Sequence, residues 1–94
     1  MEERTKIKLT QIDKENWRFI LYEDVYGNWF CSFPYSPQSA VDLSMVILLT
    51  NEEQKKAQSD RNYLINLSDN IRNKYLDFLK RAIDTDKLIF NNAD

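Results

Sequence analysis

The sequence predicts a small α+β protein in which a four-stranded antiparallel β-meander is followed by helices. β-branched and aromatic clusters, the single glycine and both prolines lie before Thr50, whereas helix-forming residues at helical spacing follow it. The connections between the predicted strands are short, which favours antiparallel neighbours. At 94 residues, two independent cores would not fit, so residues 1–94 are expected to form one domain.

The first half predicts four strands, at about residues 5–12, 17–25, 29–33 and 41–49. In the first strand Ile7 and Leu9 alternate with polar residues, as in a strand with one buried face. A polar stretch at 13–16 and the segment 26–28, which contains Gly27, provide the first two turns. The meander therefore follows from alternation and turn chemistry alone.

The third strand is expected to end before Pro34 and Pro37, because proline cannot donate to a sheet ladder. A three-residue turn at 26–28 predicts which residues share a sheet face. The first face then holds Trp17, Phe19, Leu21, Val25, Trp29, Cys31 and Phe33, interrupted by Glu23. The second face holds Arg18, Ile20, Tyr22, Asp24, Phe30 and Ser32. We expect the more apolar first face to be buried.

The second half predicts C-terminal helices at about 51–58 and 60–84, packed on one face of the sheet. Thr50 followed by Glu53 fits the capping box that opens a helix. An apolar stripe within an arc of roughly 120° runs along the longer segment. Its members are Leu64, Leu67, Ile71, Tyr75, Phe78, Leu79 and Ala82. Residues 60–84 form either one helix or two with a bend near 70–74.

The composition excludes most enzymatic chemistries. The chain has no histidine, one cysteine (Cys31) and one glycine. Imidazole catalysis, a thiolate zinc site and the glycine-rich phosphate loops are therefore unavailable. We expect no metal, no cofactor and no enzymatic activity, with carboxylate-dependent catalysis as a distant alternative.

Charge and hydropathy narrow the class of partner. The net charge is −2 and the isoelectric point is about 5.1, which argues against nonspecific binding to nucleic-acid phosphates. No apolar run approaches the roughly 18 residues that a membrane helix needs, and the first residues do not resemble a secretory signal. The sequence therefore predicts a cytoplasmic protein that does not bind membranes.

The second sheet face is the feature that folding explains least. Tyrosines beside acidic residues are common on recognition surfaces, because tyrosine offers a rigid ring with a hydrogen-bonding tip. The predicted partner-binding residues are Tyr22, Asp24, Tyr26, Phe30, Tyr35 and Asp42. In the alternative, the helix at 51–58 or the C-terminal tail covers this face. An open face would bind a protein partner or a second copy of the chain.

Five segments carry a family resemblance: 17–24 (WRFILYED), 27–30 (GNWF), 35–37 (YSP), 41–44 (VDLS) and 49–53 (LTNEE). In these segments the chain resembles small bacterial immunity-type proteins of polymorphic or contact-dependent toxin systems, although it lacks a proline at the expected helix break near 70–74. The resemblance implies an inhibitor that blocks a cognate toxin at its active site or an adjacent exosite. Asp24 and Asp42 would steer a basic toxin, and Tyr22, Tyr26 and Tyr35 would anchor it. The other hypothesis is a structural or regulatory interaction domain, including a homodimer.

Overall fold

The computed structural model describes residues 6–38 and 41–91, which form a curled mixed sheet with helices packed on one face. The strands are β1 (Ile7–Glu15), β2 (Phe19–Glu23), β3 (Trp29–Gln38), β4 (Val41–Leu48) and β5 (Leu88–Asn91). The helices are α1 (Asn51–Ser59), α2 (Asn62–Asn73) and α3 (Tyr75–Leu79), with a 3-10 turn at Thr85–Lys87. The sheet order is β4-β3-β2-β1-β5. The α+β class is confirmed.

Strands β1 to β4 form the expected antiparallel meander, but a fifth strand completes the sheet. Strand β5 pairs with β1 in parallel, with Ile7 opposite Leu88. A parallel neighbour requires a long crossover, which here contains β2 to β4 and all three helices. The four-stranded prediction is therefore corrected to five strands within the described chain.

The turn between β2 and β3 sets the faces of the sheet. Leu21 lies opposite Cys31 and Glu23 lies opposite Trp29, so the loop is the five-residue segment 24–28 rather than the predicted three-residue turn. Both loops contain an odd number of residues, and the side-chain alternation is preserved. The predicted division between the two faces therefore holds within the paired strands.

The first face forms the main core together with the helices. Its buried members are Phe19, Leu21, Cys31, Phe33, Met45, Ile47, Leu49, Ala57, Leu64, Leu67 and Ile71. The predicted capping box is present: the N–H of Glu53 donates to Thr50 Oγ1 at 3.1 Å, and the N–H of Thr50 donates to Glu53 Oε1 at 2.9 Å. The apolar helical stripe thus packs where it was expected.

The helical segment predicted at 60–84 is two helices, as in the alternative with a bend near 70–74, and it ends earlier than predicted. Helix α2 ends at Asn73, because the next residue, Lys74, has a φ of −134° and a ψ of 46°, which are not helical, and α3 ends at Leu79. Beyond it, Ala82 bridges Ile47 at the edge of β4, and the N–H of Ile83 donates to the carbonyl of Val46 at 2.8 Å. Ala82 and Ile83 therefore lie along the edge of β4 and not in an α-helix.

Two strand predictions are wrong at their ends. Trp17 and Val25 lie in turns and are 84% and 78% exposed, so neither belongs to the buried face. Strand β3 continues through Pro34, which lies opposite Ser44. Strand β2 pairs with β3 only as far as Ser32. Because Pro34 lies beyond this point, no hydrogen bond to β2 is lost through its missing N–H.

The second face is covered over part of its length by residues 82–91, which we call the strap. The strap starts at the edge of β4, passes the 3-10 turn and ends as β5 beside β1. Its Leu88 packs with the buried residues Leu9, Tyr22, Phe30 and Val46 in a second core cluster. The alternative in which the C-terminal tail covers this face therefore describes the structure, and α1 packs on the other side.

Candidate functional site

Two of the predicted partner-binding residues are buried. Tyr22 is 5% exposed and Phe30 is 3% exposed, and both lie in the second core cluster. The ring of Tyr22 lies 5.0 Å from the ring of Phe90 in the strap. This corrects the expectation that both residues stand on an open face, because the strap arrives from a distant part of the chain.

Asp24 and Tyr26 lie in the loop between β2 and β3. The Asp24 carboxylate accepts hydrogen bonds from the N–H groups of Tyr26 and Asn28, each at 2.9 Å. Burial acts to raise the pKa of Asp24, but the bonds from Asn28 and Tyr26 outweigh it and the pKa lies below its ordinary value. Asp24 thus orders its own loop, while Tyr26 is 85% exposed at the tip.

Tyr35 and Asp42 lie toward the other end of the sheet. Tyr35 is six residues beyond Trp29 along β3, or about 20 Å at the rise of an extended strand. Its ring stacks on that of Tyr75 at 5.3 Å. The side chain of Asp42 lies outside the described residues. The predicted set therefore does not form one surface, and its accessible members lie at opposite ends of the sheet.

The turn between β1 and β2 was predicted at 13–16, but it lies at 15–18 and includes Trp17, because β1 continues to Glu15. The N–H of Arg18 donates to the carbonyl of Glu15 at 2.9 Å, which closes a β-turn. Trp17 is the third residue of this turn and has a φ of 67°, where glycine is the favoured residue. A bulky residue at positive φ is unusual, and here its side chain is 84% exposed. The turn therefore presents tryptophan to solvent at a steric cost.

Helix α2 holds this turn through three side chains. The hydroxyl of buried Ser68 donates to the carbonyl of Arg18 at 2.8 Å. Arg72 donates from Nη2 to the carbonyl of Trp17, and Asp69 forms an ion pair with Arg18. These contacts fix the backbone at the strained residue and directly after it, as strained positions require if they are to persist.

Two adjoining cavities flank Trp17, and we call their lining the Trp17 groove. The first, of about 440 Å³, is lined by Lys14, Glu15, Asn16, Trp17, Arg18, Phe19, Ile20, Ser32, Pro34 and Ser44. The second, of about 490 Å³, is lined by Trp17, Pro34, Tyr35, Ser36, Leu43, Ser44 and Arg72. The cavities share Trp17, Pro34 and Ser44, so the groove lies where β3 and β4 extend past the end of β2.

Some of the described charged side chains beside the groove form ion pairs, and others do not. Arg61 donates to Asp13 at 2.8 Å and to Glu15 at 2.7 Å, and the bond from Arg61 lowers the pKa of Asp13. By contrast, the ammonium of Lys14 and the guanidinium of Arg72 have no carboxylate partner within residues 6–38 and 41–91. The groove therefore carries two cations that no neighbouring carboxylate neutralises.

Grouped metal ligands and membrane-spanning helices are both absent from the described residues. No three or more of their His, Cys, Asp and Glu side chains are grouped so as to hold a metal ion. Their helices are all too short or too polar to traverse a bilayer.

Comparison of the chain with protein-family models, with curated proteins and with solved structures finds no match. The geometry of the Trp17 groove, together with the sequence patterns, therefore carries the functional argument.

Proposed function

We propose that this protein is a non-enzymatic inhibitor in the cytoplasm, which binds a cognate bacterial toxin through the Trp17 groove and neutralises it. The observation that carries the binding role is the exposed Trp17 side chain, held at positive φ by α2. A left-handed backbone costs a residue other than glycine about 1–2 kcal/mol, and Trp17 recovers little of it by burial. A partner that covers the indole would supply the missing burial.

The residue types in the groove support a protein partner. Trp17, Tyr35 and Arg72 belong to the three types that most often dominate binding energy at protein interfaces. Contacts from α2 hold the backbone of the turn before a partner arrives, which reduces the entropy lost on binding. The groove is thus a preorganised anchor point.

The toxin as partner is supported by the sequence resemblance to immunity-type proteins. The segment 17–24 that carries part of this resemblance begins at Trp17 itself. Such a protein acts by occupying the toxin's active site or an adjacent exosite, so no catalytic group of its own is needed.

Co-expression with the product of the adjacent gene tests this proposal. We expect the protein to form a stable complex with that product and to restore growth of cells that express it. Trp17→Gly should abolish both effects, and Tyr26→Ala, which removes an equally exposed aromatic ring at the other end of the sheet, should preserve them. Absence of a complex and of growth rescue with the unaltered protein would overturn the toxin proposal.

Self-association is the second candidate, and the edge of the sheet favours it. Within the described chain, β5 pairs on one side only, and Ile89 and Phe90 are 39% and 37% exposed. An unpaired edge strand with apolar side chains is suited to pairing with another chain. Light scattering at high concentration distinguishes the two: a strict monomer argues against the homodimer.

A further inference from the structure

The charge of the Trp17 groove is opposite in sign to that of the protein. The whole chain carries −2, yet the ammonium of Lys14 and the guanidinium of Arg72 lie at the groove without a carboxylate partner among described residues. The nearby carboxylates of Asp13 and Glu15 share Arg61, and that of Asp69 pairs with Arg18, so within the described chain four cations lie with three carboxylates at this place. The charge available to a partner at this place is therefore positive.

The groove also has an apolar part that suits a side chain rather than an ion. The indole of Trp17 and the ring of Pro34 border both cavities, and Leu43, which is 44% exposed, borders one of them. Each cavity falls within the range of roughly 300–1,000 Å³ typical of sites that enclose a ligand. An occupant therefore needs an apolar group together with negative charge.

We propose that the Trp17 groove binds an acidic segment of the partner protein, with an aromatic or large aliphatic side chain against Trp17 and carboxylates facing Lys14 and Arg72. This inference rests on the proposed binding function and specifies the chemistry of its partner. It reverses the expectation that acidic residues of this protein steer a basic toxin. At this groove, positive charge on this protein meets negative charge on the partner.

A peptide fits these observations better than a nucleic acid. Single-stranded nucleic acids are bound by basic tracks that follow many phosphates. Here the described cations outnumber the carboxylates by one only, on a chain with an isoelectric point of about 5.1. Such a surface neutralises few phosphates, but it can match a short acidic segment.

Selection from a random peptide library displayed on phage tests the inference with the full chain as bait. We expect peptides enriched on the unaltered protein to be net acidic and to contain an aromatic or large aliphatic residue, and not to be enriched on Trp17→Gly. For the peptides so selected, Lys14→Glu should weaken binding roughly tenfold, because it replaces attraction by repulsion. Lys55→Glu is the matched control, since Lys55 is exposed at the other end of the sheet near Gly27, and should leave the affinity unchanged.

The outcomes separate the two proposals. Peptides that depend on Trp17 but are neutral or basic would overturn the acidic-segment inference and keep the binding role of the groove. If nothing enriches in a Trp17-dependent way, the groove itself loses its proposed role, and the inference with it. Tighter binding of a single-stranded oligonucleotide than of the selected peptides would assign the groove to nucleic acid instead. Circular dichroism of each variant confirms that it folds.

Discussion

Arg72 on α2 donates a hydrogen bond to the carbonyl oxygen of Trp17, the residue at positive φ in the turn between β1 and β2. The contact spans much of the chain and connects the helical layer to one end of the sheet. Together with Ser68 and Asp69, it holds the turn that carries the exposed indole.

Replacing Trp17 with glycine is expected to preserve stability or to increase the free energy of unfolding by up to about 1 kcal/mol. Glycine adopts positive φ without steric cost, although it loses more chain entropy on folding. The indole is 84% exposed, so little burial is lost. Chemical denaturation measures the change. Trp17→Ala is the control, because alanine retains the steric cost; a clearly destabilised glycine variant would contradict a strained turn.

Glu53 is expected to contribute stability that disappears in acid. Burial acts to raise the pKa of Glu53, but hydrogen bonds from Arg81 and Thr50 outweigh it and hold the pKa below its ordinary value of 4.5. A group whose pKa is lower in the folded state stabilises the protein above its unfolded pKa, and this contribution is lost as the pH falls through the folded pKa.

Glu53→Gln should therefore lower the free energy of unfolding by about 1 kcal/mol at neutral pH, and the difference from the unaltered protein should shrink as the pH falls through the folded-state pKa of Glu53. Urea denaturation across this pH range measures both quantities. Glu52→Gln, in the same exposed first turn of α1, is the control and should change stability by less than about 0.5 kcal/mol. An equal difference at every pH would show that the carboxylate charge is not responsible.

Leu88 in the strap is expected to be far more important for stability than its neighbour Ile89. Leu88 is 6% exposed and packs in the second core cluster, whereas Ile89 is 39% exposed. Leu88→Ala should cost about 2–4 kcal/mol, in the range of buried leucine truncations, and Ile89→Ala less than about 1 kcal/mol. Thermal or chemical denaturation gives the comparison. Similar losses for both variants would contradict the described orientation of β5.

Cys31 is expected to be unreactive in the native protein. Its side chain is fully buried, and burial, followed by the charge of Asp13, raises the pKa of its thiol well above the ordinary value. The thiolate that attacks alkylating reagents is therefore scarce and inaccessible. Iodoacetamide should modify Cys31 only in denaturant, as followed by mass spectrometry. Fast modification without denaturant would indicate that the main core opens locally.

Side-chain alternation and helix capping correctly predicted the buried face of the sheet and the start of the first helix. The odd loop between β2 and β3 placed Phe19, Leu21 and Cys31 on the buried face, and the Thr50 cap fixed the start of α1. The break at Lys74 falls within the bend near 70–74 of the predicted two-helix alternative, although no proline or glycine marks it. Alternation and capping act within a few residues, so a sequence shows them directly.

The fifth strand and the groove depend on contacts between distant residues. Leu88 to Phe90 is a short apolar run, and nothing near it in sequence indicates a parallel pairing with β1. Trp17 was predicted to be a strand residue because aromatic residues favour strands, and its contacts with α2, which help to hold it in a turn, come from a distant part of the chain. Of the predicted partner-binding residues, Tyr35 lines the groove. Its aromatic side chain pointed to a binding role, but the sequence did not predict which residues lie next to it in space.

The strap has a consequence for the order in which the chain can fold during synthesis. Strand β1 is made early, but its neighbour β5 emerges from the ribosome only after every helix has been translated. Until then Leu9 and Tyr22 lack their apolar cover, and one edge of β1 is unpaired. A nascent chain that stalls before Leu88 would expose apolar side chains and an unpaired strand edge to chaperones and proteases. The sheet and the second core cluster are thus completed only after β5 has been translated.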